Sequence, residues 1–287
     1  MRLTHADRAV DPSTSATKGD VAAYYEAVAG QLLPELKGRP VALLRAPHGV
    51  GEETFFQKHP GKAPFSGVHV LDAGLWPGHG PLLEIRSLDG LMGAVQMNTI
   101  EFHTWNARMP RLNKPDRIVF DLDPGEGIAW ADITRGAELV RDALLDLRLR
   151  CALKTSGGRG LHLVVPIAAR WPVDVVRAFA EATVQQLADA HPDRFVARSG
   201  AAQRVGLIFI DWLRNGDGAT TVAAWSLRAR PGLGVSVPLA WDELPMLNGA
   251  AAWTLANAKE RADQGDAWPA LAPQSLTAAL QAVNASA

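Results

Sequence analysis

Three short stretches carry residue types suited to moving phosphate groups: Asp121-Leu122-Asp123-Pro124, Ser156-Gly157-Gly158-Arg159-Gly160-Leu161-His162 and Asp211-Trp212-Leu213-Arg214-Asn215. The first ends an apolar run, Ile118-Val119-Phe120, that reads as a strand. Alternate side chains of a strand share a face, so Asp121 and Asp123 point the same way. Two carboxylates one pleat apart can bridge a pair of divalent cations, and their oxygen donors suit Mg²⁺ or Mn²⁺. Asp211 follows a second apolar run, Val205 to Ile210, and can add a third carboxylate from a neighbouring strand. The Gly-rich stretch offers backbone N–H groups that can cradle phosphate, with Arg159 adding charge-assisted bonds. His162 opens the next strand, where it can donate to a phosphate oxygen. Nucleotidyl transfer needs neutralised phosphate charge and in-line positioning, and a metal pair with a phosphate cradle supplies both. Each part alone has a simpler reading. An Asp-x-Asp is often a solvated strand end, and a Gly-rich stretch is often a tight hairpin. The hairpin reading explains the glycines and leaves Ser156, Arg159 and His162 together without a reason.

The elements that must position these groups follow from periodicity. Residues 1–19 read as an extended arm with turn residues Asp11-Pro12-Ser13, and a helix is expected from near Asp20 through Val28. Strands are expected over Val41–Arg45, Val68–Asp72, Leu82–Ile85, Thr99–Trp105, Arg117–Asp123, Cys151–Lys154, Leu161–Val165 and Val205–Ile210. Ser87–Met92 reads as a short capped helix, Ala131–Leu149 as a longer one, and Pro172 as the start of a helix reaching Ala190. Gly49–Lys62 and Gly74–Pro81 read as loops. From Trp241 the chain is expected to be mostly helical. Strands and helices interleave without regular alternation, which implies an α/β (α+β) sandwich with mixed sheets rather than a doubly wound parallel sheet.

With 287 residues, 47% of them hydrophobic, the chain can bury a sizeable core. The one cysteine, Cys151, excludes an intrachain disulfide and fits a reducing cytosol. No apolar run approaches a bilayer span, and residues 1–20 lack the apolar core of a signal peptide. A soluble cytoplasmic protein without a membrane partner is expected. The formal net charge of −1 gives no general basic footprint for nucleic acid, so any DNA contact must rest on a local groove. Cations do gather there. Arg108, Arg111, Lys114 and Arg117 precede the Asp pair, while Arg198, Arg204, Arg214, Arg228 and Arg230 flank Asp211.

Taken together, these segments resemble the polymerase domain of bacterial ATP-dependent DNA ligase D, in the archaeo-eukaryotic primase superfamily. The likeness runs from Leu3-Thr4-His5-Ala6-Asp7-Arg8, Thr17-Lys18 and Tyr24-Tyr25 through Phe55-Phe56-Gln57-Lys58-His59-Pro60 and Glu101-Phe102-His103-Thr104-Trp105. It continues over the three stretches above to Ser226-Leu227-Arg228-Ala229-Arg230 and Trp241-Asp242-Glu243-Leu244. The resemblance implies a primase-polymerase fold, with an RRM-like catalytic half packed on an N-terminal α/β half. It implies template-dependent nucleotide addition at DNA ends in non-homologous end joining, often favouring ribonucleotides and manganese. It assigns the metals to Asp121, Asp123 and Asp211, and the incoming nucleotide to Ser156, Arg159, His162 and Arg228. His103 and Arg214 would lie in or near the active site. Arg8 and Lys18 would hold the 5′-phosphate across a gap, and Phe56 would stack on a template base. On composition alone, Arg8 and Lys18 would be exposed charges and Phe56 a core residue. The implied partners are nucleoside triphosphates, DNA ends and gapped duplex, an end-joining ligase and an end-binding protein.

The sequence also departs from that family. Asp217 stands where a basic residue is usual, and Ala224-Trp225-Ser226 replaces the usual Pro-Tyr-Ser. There is no nucleotidyl-lysine motif of a ligase and no obvious nuclease metal cluster. The whole of 1–287 is therefore expected to form one primase-polymerase domain, either excised from a larger protein or standing alone. Three other readings stay open: a primer-independent primase, a non-catalytic DNA-end-binding scaffold, and a phosphohydrolase using Asp121 as nucleophile. The last expects Thr or Val shortly after the second Asp, where this chain has Pro124-Gly125-Glu126-Gly127.

Overall fold

A computed structural model of the chain describes residues 3–61, 65–198, 200, 204–265, 267–268 and 270–285; Lys62, at the end of one expected loop, lies outside them. In chain order a small hairpin, β1 (Ala9–Asp11) and β2 (Ala16–Thr17), precedes helices α1 (Lys18–Ala27) and α2 (Ala29–Leu36). Strands β3 (Val41–Arg45), β4 (Phe55–Gln57), β5 (His69–Val70) and β6 (Leu83–Glu84) follow, then α3 (Leu88–Gln96) and β7 (Thr99–Trp105). Next come β8 (Arg117–Pro124), α4 (Trp130–Asp146), β9 (Ala152–Thr155), β10 (Leu161–Pro166) and α5 (Val173–Ala190). The chain continues with β11 (Phe195–Val196), β12 (Ile208–Asp211), β13 (Thr220–Val222) and β14 (Pro238–Leu239), then α6 (Ala258–Asp263) and α7 (Thr277–Ala285).

Two six-stranded sheets result. One runs β11-β12-β8-β10-β9-β14; the other runs β13-β7-β3-β6-β5, with β4 added on β3. In the first, β8, β9, β10 and β12 are four strands of a β-α-β-β-α-β unit with α4 and α5 as its helices. Their spatial order β12-β8-β10-β9 is fourth, first, third, second, which is the RRM-like arrangement expected. The sheet is mixed, because β11 lies parallel to β12 while β8, β9, β10 and β12 pair antiparallel.

Strand alternation divides β8 between two environments. Ile118, Phe120 and Leu122 enter a core shared with Val140 of α4 and Val176 and Phe179 of α5. Arg117, Val119, Asp121 and Asp123 face the other way, toward the second sheet. The second sheet packs its own core against α1 to α3, with Tyr25, Leu32, Leu43, Leu91 and Phe102 fully buried. Between the sheets lie polar groups. Buried Arg117 pairs with Glu35 at 3.0 Å and bonds Asn106 at 3.1 Å, and also reaches Thr104. Asn215 spans the gap by bonding both backbone groups of Val119, at 2.8 Å each.

Several boundaries differ from expectation. The first helix starts at Lys18, because Thr17 is its N-cap and Asp20 closes a capping box from the N3 position. The arm before it holds the β1–β2 hairpin. Helix α2 was not expected; it contains Pro34 and has no side-chain cap. Within the loop expected over Gly49–Lys62, Phe55–Gln57 pairs with β3. The α3 helix runs on to Gln96, whereas α4 stops at Asp146 before Arg148 at φ +59°. Strand β12 begins at Ile208, after Gly206 at φ +71°, and includes Asp211. The region after Trp241 is mainly irregular: Pro245, Gly249, Gly265 and Pro273 confine helix to a 3₁₀ turn, α6 and α7. Among the described residues no helix is long and apolar enough to cross a membrane.

Candidate active site

Sheet register brings the three aspartates together. Asp211 of β12 lies directly opposite Asp121 of β8, and His162 of β10 lies opposite Asp121 on the other side. Lys154 of β9 lies opposite His162. One transverse row, Lys154–His162–Asp121–Asp211, therefore crosses four strands. Asp123, one pleat further along β8, lies opposite Phe209. Asp121, Asp123, His162, Ser156, Arg159 and Arg228 line one cleft of about 540 Å³, together with Arg204, Arg214 and Arg230.

The carboxylates are balanced by arginines. Arg214 Nε sits 3.0 Å from Asp211 Oδ2 and 3.6 Å from Asp121 Oδ2, bridging the two. Arg204 holds Asp123 at 2.8 Å and covers the Phe209 ring at 4.3 Å. Burial pushes Asp121 upward, but His162, Arg214 and Lys154 overcome it and hold the carboxyl well below the usual carboxylate range. Asp211 moves the other way: burial raises it, and the charges of Asp121 and Asp123 add to that against the pull of Arg214. Among the described residues no trio of His, Cys, Asp or Glu side chains is drawn close enough to hold a metal ion.

The Gly-rich stretch is a tight hairpin. It joins β9 to β10, with Gly157 at φ +67°. A Cβ on Gly160 would come within 1.9 Å of the Leu122 carbonyl, so only glycine lets the turn lie on β8. Ser156 Oγ accepts from the N–H groups of Gly158 and Gly160 at 3.2 and 3.1 Å, which fixes the turn. Arg159 donates to the Gly125 carbonyl at 3.0 Å and lies over the cleft mouth. His162 Nε2 is 3.2 Å from Asp121 Oδ1, and its buried Nδ1 has no hydrogen-bond partner. Burial pushes this imidazole down to about 4, so it is neutral at pH 7.

The second sheet supplies the opposite wall. His103 on β7 places Nε2 2.7 Å from Glu101 Oε2, and burial lowers its pKa. Arg228 donates from Nε to Glu101 at 3.0 Å and from Nη1 to the Ser156 carbonyl at 2.8 Å. Phe56 is 42% exposed, so it is not the core residue composition suggests; its ring meets His103 edge to face at 4.8 Å. Arg8 and Lys18 sit apart from the cleft, beside each other. Lys18 is only 4% exposed, contrary to the surface charge that composition suggests, because Nζ donates to the carbonyls of Thr4 and Gln96 at 3.1 and 2.8 Å. Arg8 is half-buried and donates to the Pro47 carbonyl and to Asn98 Oδ1, at 2.7 Å each. Burial and the Arg8 charge both lower Lys18.

Sequence reasoning gave no role to Lys154, Glu101 and Asn215, the last two being named only within longer stretches, and placed Arg204 and Arg230 among the cations flanking Asp211 without a role of their own. A period-two signal was available for Lys154 and Glu101: each lies two residues before a candidate on the same strand face, Ser156 and His103. The two departures lie elsewhere. Asp217 accepts from the Trp76 indole at 2.9 Å, and Trp225 is buried in the core of the second sheet.

With this geometry in place, the comparisons agree. The chain matches the family described as LigD, primase-polymerase domain, over residues 17–268. It is 49% identical over 264 residues to the multifunctional non-homologous end joining protein LigD of Pseudomonas aeruginosa, covering 92% of this chain and 31% of that protein. It is 35% identical over 246 residues to the LigD of Mycolicibacterium smegmatis, covering 85% of this chain and 32% of that protein. Its fold matches the polymerase domain from Mycobacterium tuberculosis ligase D in complex with DNA, with a TM-score of 0.83 and 32% identity over 93% of this chain and 96% of that one. The RRM-like sheet with its opposed aspartates and Gly-rich turn goes with the class that these matches give, a nucleotidyltransferase. The chain belongs to the LigD primase-polymerase domain family. It spans about a third of the length of these curated relatives (31% and 32%).

Proposed function

We propose that this chain performs metal-dependent, template-directed nucleotidyl transfer at DNA ends, filling gaps and extending ends during bacterial non-homologous end joining. The observation that carries the reading is one cleft in which Asp121 and Asp123 of β8, with Asp211 of β12 directly opposite Asp121, meet a Gly-rich turn and several arginines. A divalent pair suits Asp121, Asp123 and Asp211. Their donors are all carboxylate oxygens, and the charge that Asp121 and Asp211 concentrate is balanced by the guanidinium of Arg214, whose side chain is 45% exposed. Bound Mg²⁺ or Mn²⁺ would neutralise phosphate charge and activate the attacking hydroxyl. Ser156, Arg159, His162 and Arg228 would grip the triphosphate, with His103 and Arg214 beside it. Neutral His162 donates to an oxygen rather than pairing as a cation. Arg8 and Lys18, neighbouring cations whose side chains donate to neutral carbonyl and amide oxygens, suit a 5′-phosphate dianion. Exposed Phe56 suits stacking on a template base. In this reading the chain forms one primase-polymerase domain over 1–287, prefers ribonucleotides, and acts in the cytoplasm with an end-joining ligase and an end-binding protein.

The test is primer extension on a short gapped duplex bearing a 5′-phosphate, with ribo- or deoxyribonucleotides and Mn²⁺ or Mg²⁺. Templated addition is expected, faster with ribonucleotides, and lost in both Asp121→Ala and Asp211→Ala while DNA binding persists. Full catalysis by either variant overturns the metal assignment. Addition on a template without primer would favour a primase. Absence of addition in a folded protein would leave a DNA-end scaffold.

A further inference from the structure

Glu101 is 4% exposed and has no part in the chemistry above. It sits two residues before His103 on β7, on the same face. Its Oε2 receives His103 Nε2 at 2.7 Å and Arg228 Nε at 3.0 Å, and its Oε1 accepts from the Ala229 N–H at 2.8 Å. One carboxylate oxygen thus serves two candidate functional side chains. Each continues to something else. The His103 ring meets exposed Phe56, and Arg228 Nη1 donates to the Ser156 carbonyl at the start of the Gly-rich turn. A continuous series, Phe56–His103–Glu101–Arg228–Ser156, joins the second sheet to the first.

The chemistry of the joint is restrictive. With Nε2 turned to a carboxylate, His103 keeps its proton there, which fixes the tautomer and the ring. Arg228 has its Nε–H and one Nη1 donor committed, so the remaining donors point along a set direction into the cleft that it lines. Glu101 is buried among donors that hold it ionised: burial alone raises it, and His103, Arg228 and the Ala229 amide bring it down. A shift of the His103 ring changes the acceptor on which Arg228 rests.

We propose that Glu101 is a positioning residue that couples template engagement at Phe56 to nucleotide grip at Arg228. The proposal rests on the roles given to those two residues in the function proposed above. In Glu101→Gln the side chain keeps its shape but presents one oxygen and one NH₂. Whichever way the amide turns, a donor faces a donor, either at Ala229 or at His103 and Arg228.

The experiment compares KM for a ribonucleoside triphosphate on two gapped duplexes, one with a templating base and one with an abasic site opposite the gap. The ratio of the two KM values is the coupling factor. In the parent protein about tenfold or more is expected, within the range of measured couplings between sites. Glu101→Gln is expected to bring the ratio to about twofold or less, mainly by raising KM on the templated gap, with kcat changed less than about threefold. The loss should not add to that of Phe56→Ala in the double variant, as required when two residues act through one connection. A parent-like ratio in folded Glu101→Gln overturns the proposal, as does full additivity with Phe56→Ala. A parent-like ratio in Phe56→Ala instead overturns the stacking role of Phe56, so the two failures are distinguishable. Should Glu101→Gln fail to fold, Glu101→Asp keeps the charge and withdraws it by one methylene; a reduced ratio supports the coupling, and an undiminished one overturns it.

Discussion

Asp121 is useful because its neighbours differ: an imidazole on one strand, a second carboxylate on the other, and a guanidinium bridging the two acids. The same dependence on neighbours makes Glu101 a stability group. Its ordinary value of 4.5 falls to about 2 in the folded chain, so its contribution is complete above pH 4.5 and is lost as pH drops toward 2. Urea unfolding across that window should show a slope that Glu101→Gln flattens, corresponding to a span on the order of 3 kcal/mol. At the other end of the chain, Lys18→Met should erase any preference for a gap bearing a 5′-phosphate over one bearing a hydroxyl. Because that variant also leaves the Thr4 and Gln96 carbonyls short of a donor, the ratio of rates on the two gaps is the readout, not the absolute rate. At this scale much was legible. Asp121, Asp123 and Asp211 end apolar runs, and Ser156 to His162 closes with an imidazole that the hairpin itself does not need, whereas Ser156 serves to fix the turn. Glu101 was not legible as a joint. An acid in an alternating strand looks solvent-facing until Arg228, 127 residues away, is known to lie on it.

The β9–β10 hairpin and the loop around Trp76 show what elements add. Gly160→Ala should cost about 2–3 kcal/mol in thermal or urea unfolding and disorder the Gly-rich turn, since the added methyl meets the backbone of β8 rather than a side chain that can move. The Trp76 indole, stacked on His79 and edge-on to Trp105, ties the loop over 72–81 to Asp217. Trp76→Phe keeps an aromatic ring but loses the pyrrole part of the indole with its N–H, so a loss of at least about 1 kcal/mol is expected, and Asp217→Asn, which retains an acceptor and the whole indole, should lose less. Long periodic elements such as β7, β8, α4 and α5 could be read from the chain because their apolar faces repeat. Strands β13 and β14, of three and two residues, could not: their pairing is imposed by β7 and β9 rather than by any pattern of their own. Helix α2 was hidden by Pro34, whose penalty is offset by burial of Leu32 and Leu36.

At the scale of the whole molecule, two large cores flank a polar seam, with a third, smaller cluster at Leu71, Leu82, Trp105 and Leu112. Arg117 lies 8% exposed in that seam, and burial draws its pKa down to about 10 despite Glu35 and Asp116. Arg117→Met should lower the free energy of unfolding by about 2–4 kcal/mol, because it unpairs Glu35 and leaves the Asn106 oxygen with only the longer bond from Thr221. The general class, a mixed α/β sandwich, followed from interleaved strands and helices of unequal order. The seam did not, because Arg117, Glu35, Asn106 and Asn215 are distant in sequence, and nothing local to each marks it as buried.

The transverse row from Lys154 to Asp211 can also be viewed as a distribution of charge. It is positive at the β9 end, neutral at His162 and negative across β8 and β12, so the sheet carries an electric dipole at right angles to its strands. A polyanion accompanied by cations has one favourable orientation in such a field: its anionic tail toward the hairpin and its counterions toward the aspartates. Burial lowers Lys154 to about 7, so the positive pole fades as the medium turns alkaline and the negative pole stays.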